Sequence, residues 1–326
     1  MKNTPVRWGI LATGVIARNF AQTAAKMGGV MLQAVASRTI EKANEFADEF
    51  LIPNRHCGVQ ALASDTCVDA VYIASPHSAH YEEMKTLIKG GKHILCEKSF
   101  TTDARQAAEI YALAREKGVF VMEAFWTKLI PVYREMEKLL DTGAIGDIRA
   151  LTATYGYTTA RQARKFDAEL AGGTLLDIGV YAIGFACMAL GYEYDQILST
   201  LVMNSEGTDA TDAIVLRKGD AVAQLTCAIG ANIPTYAAIY GAKGRIEIPD
   251  FKNPQAITLC IDGQEPVVFS APFAVNGYEY EIWEAERCIR EGLLESPLMT
   301  GAQSVAVMAI MDEVRRQNAF AFPFEK

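Results

Sequence analysis

The chain has 326 residues, half of them hydrophobic, and a formal net charge of −8 at pH 7. At about 150 residues per domain this length predicts two domains, and the acidic balance excludes nucleic-acid binding through a basic face. No uninterrupted run of about 18 apolar residues marks a membrane span. The seven cysteines are scattered with no Cys-x-x-Cys pair or Cys/His cluster, so the expectation is a reducing, cytoplasmic setting with no metal and no membrane partner.

Met1 to Arg7 followed by apolar residues imitates a signal peptide, but Gly9 and Gly14 break the run and strand-plus-turn is the better reading. Residues 6–11 read as a short apolar strand. Residues 12–17 read as a tight turn opening a helix toward Lys26, and residues 33–36 as a second strand closed by Ser37 and Arg38. This βαβ unit has the size that grips a dinucleotide, with the pyrophosphate at the helix N-terminus. Ala12 and Ala17 stand where the G-x-G-x-x-G pattern has its outer glycines, and Gly14 keeps the middle one. The cofactor-binding set from this turn is Ala12, Thr13, Gly14, Val15 and Ile16. From this stretch alone, a strand–turn–helix with no nucleotide role stays open. At the tip of the second strand no acid occurs until Glu41. Arg38 can hold a 2′-phosphate where a carboxylate would take the ribose hydroxyls, so NADP is preferred with NAD as the alternative. A solvated surface arginine is the competing reading.

Residues 61–66 read as a loop or short helix before a strand at 68–74, ended by Ser75, Pro76 and His77. A helix from His80 to Lys89 stops at Gly90-Gly91. The next strand, 93–96, ends in Glu97-Lys98. Thr102-Asp103 caps a helix through Lys117, closed by Gly118, and 119–122 is a further strand. Strands alternating with helices imply a doubly wound parallel sheet of the Rossmann type over residues 1–123. Gly14, Arg38, Pro76 and Lys98 all fall at strand ends, where ligands bind in such sheets. From residue 124 to 326 the rhythm changes. A helix at 131–142 and a strand at 148–157 precede a glycine-rich turn and helix at 171–190. Strands follow at 196–203, 213–216, 221–229, 235–240, 245–248, 256–261 and 267–269, then helices at 280–291 and 303–317. This predicts an α+β domain built on a large, mainly antiparallel open sheet.

Two stretches carry candidate chemistry. One is Glu97-Lys98 at its strand end; the other is Gly172-Gly173-Thr174-Leu175-Leu176-Asp177-Ile178-Gly179-Val180-Tyr181. On a helix, Asp177 and Tyr181 at i and i+4 share a face. An ammonium beside a phenol eases loss of its proton, and such a pair can exchange a proton with a substrate hydroxyl or carbonyl while hydride moves at a nicotinamide. A surface lysine and a satisfied core tyrosine remain the alternative from these stretches by themselves.

Taken together, the Gly9…Gly14-Val15-Ile16-Ala17 turn, Ser75-Pro76-His77-Ser78-Ala79-His80, Glu97-Lys98, Glu123-Ala124-Phe125-Trp126 and the 172–181 stretch resemble the Gfo/Idh/MocA oxidoreductases along the whole chain. Within that family the chain is most similar to the dimeric dihydrodiol dehydrogenase and NADP-dependent D-xylose dehydrogenase branch, which has tyrosine at the position of Tyr181. The resemblance implies that Tyr181 is the general acid/base, that Lys98 orients the reacting oxygen and tunes Tyr181, and that Asp177 polarises or positions the pair. It implies that Ser75, Pro76, His77, His80 and Glu97 line the cofactor site and that Trp126 packs at the substrate. Phe166 and Arg161 or Arg164, on a polar loop over 158–167, are further substrate candidates. Relatives usually read Glu-Lys-Pro where this chain has Ser99.

The expected activity is NADP-preferring hydride transfer between the nicotinamide and a CH–OH or C=O carbon of a sugar, polyol or vicinal diol. The protein is expected to work as a homodimer through the C-terminal sheet, or as a tetramer. Two rivals are a sugar oxidoreductase that recycles hydride on tightly held cofactor and a non-catalytic NADP-binding regulator.

Overall fold

The computed structural model describes residues 5–158 and 165–325, which form two units. The first comprises the chain up to Trp126 together with Ala274–Val305; the second comprises Thr127–Phe273 and the chain from Ala306 onward.

In the first unit, β1 (Arg7–Leu11), β2 (Met31–Ser37), β3 (Asn54–Cys57), β4 (Ala70–Ile73), β5 (His93–Glu97) and β6 (Val121–Ala124) form one parallel sheet in the order β3-β2-β1-β4-β5-β6. The order reverses between β1 and β4, the switch point outside which such sheets bind ligands. The connections are α1 (Val15–Met27), α2 (Ile40–Phe50), α3 (Val59–Ala63), α4 (His77–Lys89) and α5 (Ala104–Lys117); α6 (Trp126–Leu129) follows β6. β4 is buried at every position, as a strand covered on both faces must be. The Asp103 carboxylate caps α5 by accepting from the Gln106 N–H at 2.7 Å, and Gly118 ends it in the left-handed conformation. Among the relatively polar elements, α2 and β3 are additions to the sequence reading.

The expected boundary at 123/124 assigned everything beyond it to the second domain. Instead α9 (Glu279–Glu291) and its flanks join the first unit. The Trp8 indole N–H donates to Glu286 at 3.2 Å, Thr23 Oγ1 donates to Asn276 at 3.0 Å, and the Val121 N–H donates to the Leu294 carbonyl at 3.0 Å. A buried indole N–H needs such a partner, and β6 as an edge strand gains one here.

The second unit holds an eight-stranded sheet in the order β14-β13-β12-β11-β7-β10-β9-β8. Its strands are β7 (Ile148–Tyr157), β8 (Gln196–Met203), β9 (Asp209–Lys218), β10 (Ala221–Ile229), β11 (Ile233–Gly241), β12 (Gly244–Pro249), β13 (Ala256–Ile261) and β14 (Val267–Ser270). All neighbours are antiparallel except β7 and β10. α7 (Pro131–Asp141) and α8 (Val180–Leu190) belong to this unit, and the end of α10 (Gly301–Gln317) covers the edge strand β8, where Gln317 donates to the Ile197 carbonyl at 2.7 Å. The stretch Ala168–Leu190 is long and apolar enough to cross a membrane by length and composition, which the run-based reading of the sequence passed over. Its most apolar window is 78% buried inside the protein, and Val180 to Cys187 are buried throughout, as in a core helix.

Candidate active site

The first unit gathers four segments at the carboxyl edge of its sheet. After β1 the chain turns through Ala12, whose N–H donates to the Ala36 carbonyl at 2.9 Å, and enters α1 at Gly14. Ala12 has φ 87°, a conformation that favours glycine. This answers the missing first glycine: the turn keeps its shape with alanine, at a cost of about 1–2 kcal/mol. Gly14 caps α1 without any side-chain hydrogen bond, no acid occupies the first helical turn, and a Cβ on Gly14 would meet nothing within 4 Å. Helix N–H groups therefore face open space beside Thr13, Val15 and Ile16, an arrangement that fits a pyrophosphate.

Past β2, Ser37 is buried and Arg38 is exposed, and Arg38 forms no ion pair among the described residues. No carboxylate stands beside it in the sequence before Glu41. These residues fit a ribose bearing a 2′-phosphate. Past β4, Ser75 Oγ donates to Glu83, whose carboxyl burial pushes up to about 7. Pro76 precedes α4, which starts at His77 and so takes in three residues more than the sequence reading gave it.

His80, expected at the cofactor, is fully buried, with Nδ1 3.0 Å from the Ser99 carbonyl and Nε2 3.0 Å from the Ser75 carbonyl. Burial lowers its pKa to about 4, so the ring is neutral and donates to one of the two. The ring thus lies between the backbones of two segments of the site and is hydrogen-bonded to one of them. At the end of β5, the Tyr72 hydroxyl donates to the buried Glu97 carboxylate. The Lys98–Ser99 peptide bond is cis. Trp126 lies against Tyr278, ring centroids 4.9 Å apart.

The second unit carries the other candidate stretch. Leu175–Gly179 forms one turn of π-helix that runs into α8. The plain α-helical phase expected for Asp177 and Tyr181 is therefore replaced by a wider turn, a form that frequently marks functional sites. Asp177 is held by groups the sequence reading did not single out. The Tyr157 hydroxyl donates to Asp177 Oδ2 at 2.9 Å, Lys165 Nζ stands 3.6 Å from the same oxygen, and Lys165 also donates to the Tyr157 hydroxyl. Tyr155 and Tyr157 share a face of β7, with centroids 5.7 Å apart, and Tyr155 meets Tyr181 edge-on at 6.3 Å. Burial, then the charge of Asp177, pushes the Tyr155 phenol up to about 12. Phe166 follows Lys165 and is half-buried. Arg161 and Arg164 lie outside the described residues. The Tyr-x-Tyr ending of β7 was the available signal for this cluster.

Residues 6–125 match the family described as the GFO/IDH/MocA oxidoreductase family, NAD-binding Rossmann fold, and residues 133–247 match the GFO/IDH/MocA C-terminal domain. The chain belongs to the GFO/IDH/MocA oxidoreductases. Membership makes it an oxidoreductase and accounts for both sheets. Among its family relatives, the trans-1,2-dihydrobenzene-1,2-diol dehydrogenase of Xenopus tropicalis is 35% identical over 97% of this chain and 99% of its own length. A 3-ketoreductase from Actinomadura kijaniata, solved with NADP and TDP-benzene, superposes with a TM-score of 0.88 at 26% identity, covering 96% of this chain and 98% of that one. An aldose-aldose oxidoreductase from Caulobacter crescentus shares the fold at a TM-score of 0.88 and 22% identity, covering 97% and 98%.

Proposed function

We propose that this GFO/IDH/MocA oxidoreductase is an NADP-preferring dehydrogenase of vicinal diols or sugars. The observation that carries the proposal is the π turn bearing Asp177 and Tyr181, with Asp177 fixed by Tyr157 and Lys165, in a chain that resembles a diol dehydrogenase from end to end. Bound NADP supplies the hydride acceptor, or as NADPH the donor, at its nicotinamide ring.

The chain's own residues do the rest. The α1 N-terminus with Ala12 to Ile16 binds the pyrophosphate, Ser37 and Arg38 take the 2′-phosphate, and Ser75, Pro76, His77 and Glu97 line the remainder of the cofactor. Tyr181 accepts the substrate hydroxyl proton in oxidation and returns it in reduction. Lys98 orients the reacting oxygen, and its charge favours the phenolate form of Tyr181. Asp177, locked by two neighbours, cannot swing away from its station; Trp126 and Phe166 contribute apolar surface to the substrate.

We further propose a homodimer formed through the open face of the eight-stranded sheet, where Leu198, Val202 and Val268 leave apolar side chains exposed, in a reducing cytoplasm suited to seven free cysteines. Light scattering at micromolar concentration checks the dimer. The activity is tested with trans-1,2-dihydrobenzene-1,2-diol and a panel of aldoses and inositols, each with NADP and NAD, and in the reverse direction with dicarbonyls and NADPH or NADH, following the absorbance of reduced nicotinamide. Turnover of a diol or sugar with NADP ahead of NAD is expected. Reduction of neither cofactor by any diol or sugar of the panel, with oxidation of neither reduced cofactor by any dicarbonyl, refutes the proposal.

A further inference from the structure

Two aspartates of β9 pack against the turn that presents Asp177 and Tyr181. Asp209 and Asp212 are 2% and 1% exposed. Asp209 accepts from the Leu175 N–H at the start of the π turn. Its Oδ1 lies 2.0 Å from where a Cβ on Gly173 would sit, and Asp212 Oδ2 lies 3.5 Å from the corresponding point on Gly179. Gly173, at φ 125°, is therefore glycine for two reasons: no L side chain favours that backbone, and the carboxylate fills the space. Thr174 completes the contact by donating to the Ala210 carbonyl at 2.9 Å and accepting from the Ile229 N–H at 3.2 Å.

Asp212 has no hydrogen-bond partner other than Asp209 among the described residues, and neither acid pairs with a lysine, arginine or histidine there. The turn carries Asp177, α8 carries Tyr181 and Cys187, β10 carries Cys227, and β8 has no titratable residue. Cys227 faces the pair as a neutral thiol, pushed up by burial and then by Asp212. Two desolvated carboxylates in contact without a cation cannot both ionise; one proton between them turns repulsion into a hydrogen bond.

We propose that Asp209 and Asp212 share one proton and act as a positioning pair, clamping the 173–179 turn so that Asp177 and Tyr181 stand where hydride transfer needs them. The kinetic half of this inference rests on the roles proposed for Asp177 and Tyr181; the shared proton does not. Burial and the mutual charge raise both acids, Asp212 well above the usual carboxylate range. A carboxyl that binds its proton more tightly when folded contributes stability that is full below its unfolded pKa and is lost as pH rises through its folded value.

The test uses the full chain. Thermal midpoints are measured from pH 5 to 9 for the wild type and Asp212→Asn, whose amide donates permanently to Asp209. The wild type is expected to lose stability relative to Asp212→Asn as pH rises, with the variant the equal or better protein at pH 8. A variant that is less stable than wild type at pH 8, or a difference independent of pH, overturns the shared proton. Turnover of trans-1,2-dihydrobenzene-1,2-diol with NADP is then compared. Asp212→Asn and Asp209→Asn keep kcat within several-fold, while Asp209→Ala loses about 100-fold, the scale of a small misplacement. NADPH binding by fluorescence is unchanged in all three. Wild-type kcat in Asp209→Ala overturns the positioning role. If Asp209→Ala does not fold, a 100-fold loss in Asp209→Asn with intact NADPH binding also overturns it, and retained kcat supports it. Should the wild type not turn over the diol, that failure counts against the proposed substrate, and the thermal arm alone decides the pair.

Discussion

Replacing Gly14 with alanine separates the demands of the fold from those of the cofactor. Gly14 has φ −77° and ψ −175°, a conformation open to any residue, and the added methyl would touch nothing within 4 Å. For the free protein the change is therefore neutral or favourable, since Gly→Ala at a compatible site restricts the unfolded chain by about 0.4–1 kcal/mol. In a unit of this size that amounts to about 1–4 °C in thermal midpoint. In the proposed cofactor site the same methyl would intrude where the helix N–H groups meet phosphate. Losing one or more hydrogen bonds to a charged group, at about 1.5–3 kcal/mol each, weakens NADPH binding about 10- to 100-fold. Differential scanning fluorimetry without cofactor reads the first quantity and NADPH fluorescence titration the second. Unchanged NADPH affinity would place the pyrophosphate elsewhere. A midpoint several degrees lower would mean that the turn is not built as described.

Three further outcomes are expected. Arg38→Ala raises the Michaelis constant for NADP at least about tenfold, as loss of a charge-assisted phosphate contact does, and leaves that for NAD nearly unchanged; parallel rises would refute the 2′-phosphate assignment. Lys165→Met removes a cation from Tyr157 and Asp177 and lowers kcat about tenfold, less than the ~10²–10⁴-fold carried by an acid/base itself because Lys165 acts through its neighbours. Its NADPH dissociation constant stays at the wild-type value; a weakened cofactor affinity with intact kcat would contradict it. Glu123, pushed up to about 7 by burial, contributes stability that is full below the ordinary glutamate range and lost as pH rises through 7. Thermal midpoints of Glu123→Gln should therefore fall less than those of the wild type between pH 5 and 8, and parallel curves would exclude the buried neutral carboxyl.

The periodic elements were readable because their patterns are local. β8, β10 and β13 occupy the residues expected of them, and the strand ends at Gly14, Arg38, Pro76 and Lys98 fall at one edge of a parallel sheet, as alternation of strands and helices implied. β3 escaped notice because Asn54–Cys57 is polar, with no apolar alternation to mark it. α9 was assigned to the wrong unit because only tertiary contacts, such as that of Trp8 with Glu286 across most of the chain, reveal its place. The same limit hid Lys165 beneath Asp177 and the acids behind Gly173 and Gly179. Each is a contact between segments whose spacing carries no signature, although the glycines they demand were in plain sight.

The central claim is that a lysine after β5 and a tyrosine at the start of α8 perform the proton chemistry of NADP-linked hydride transfer. It is tested most directly by single-turnover and steady-state kinetics of Lys98→Met and Tyr181→Phe, each first shown to bind NADPH. The account predicts bound cofactor in both variants and turnover lower by about 10²–10⁴-fold, the contribution of a positioned acid/base. Turnover near the wild-type rate in either one, with the cofactor bound, would contradict it.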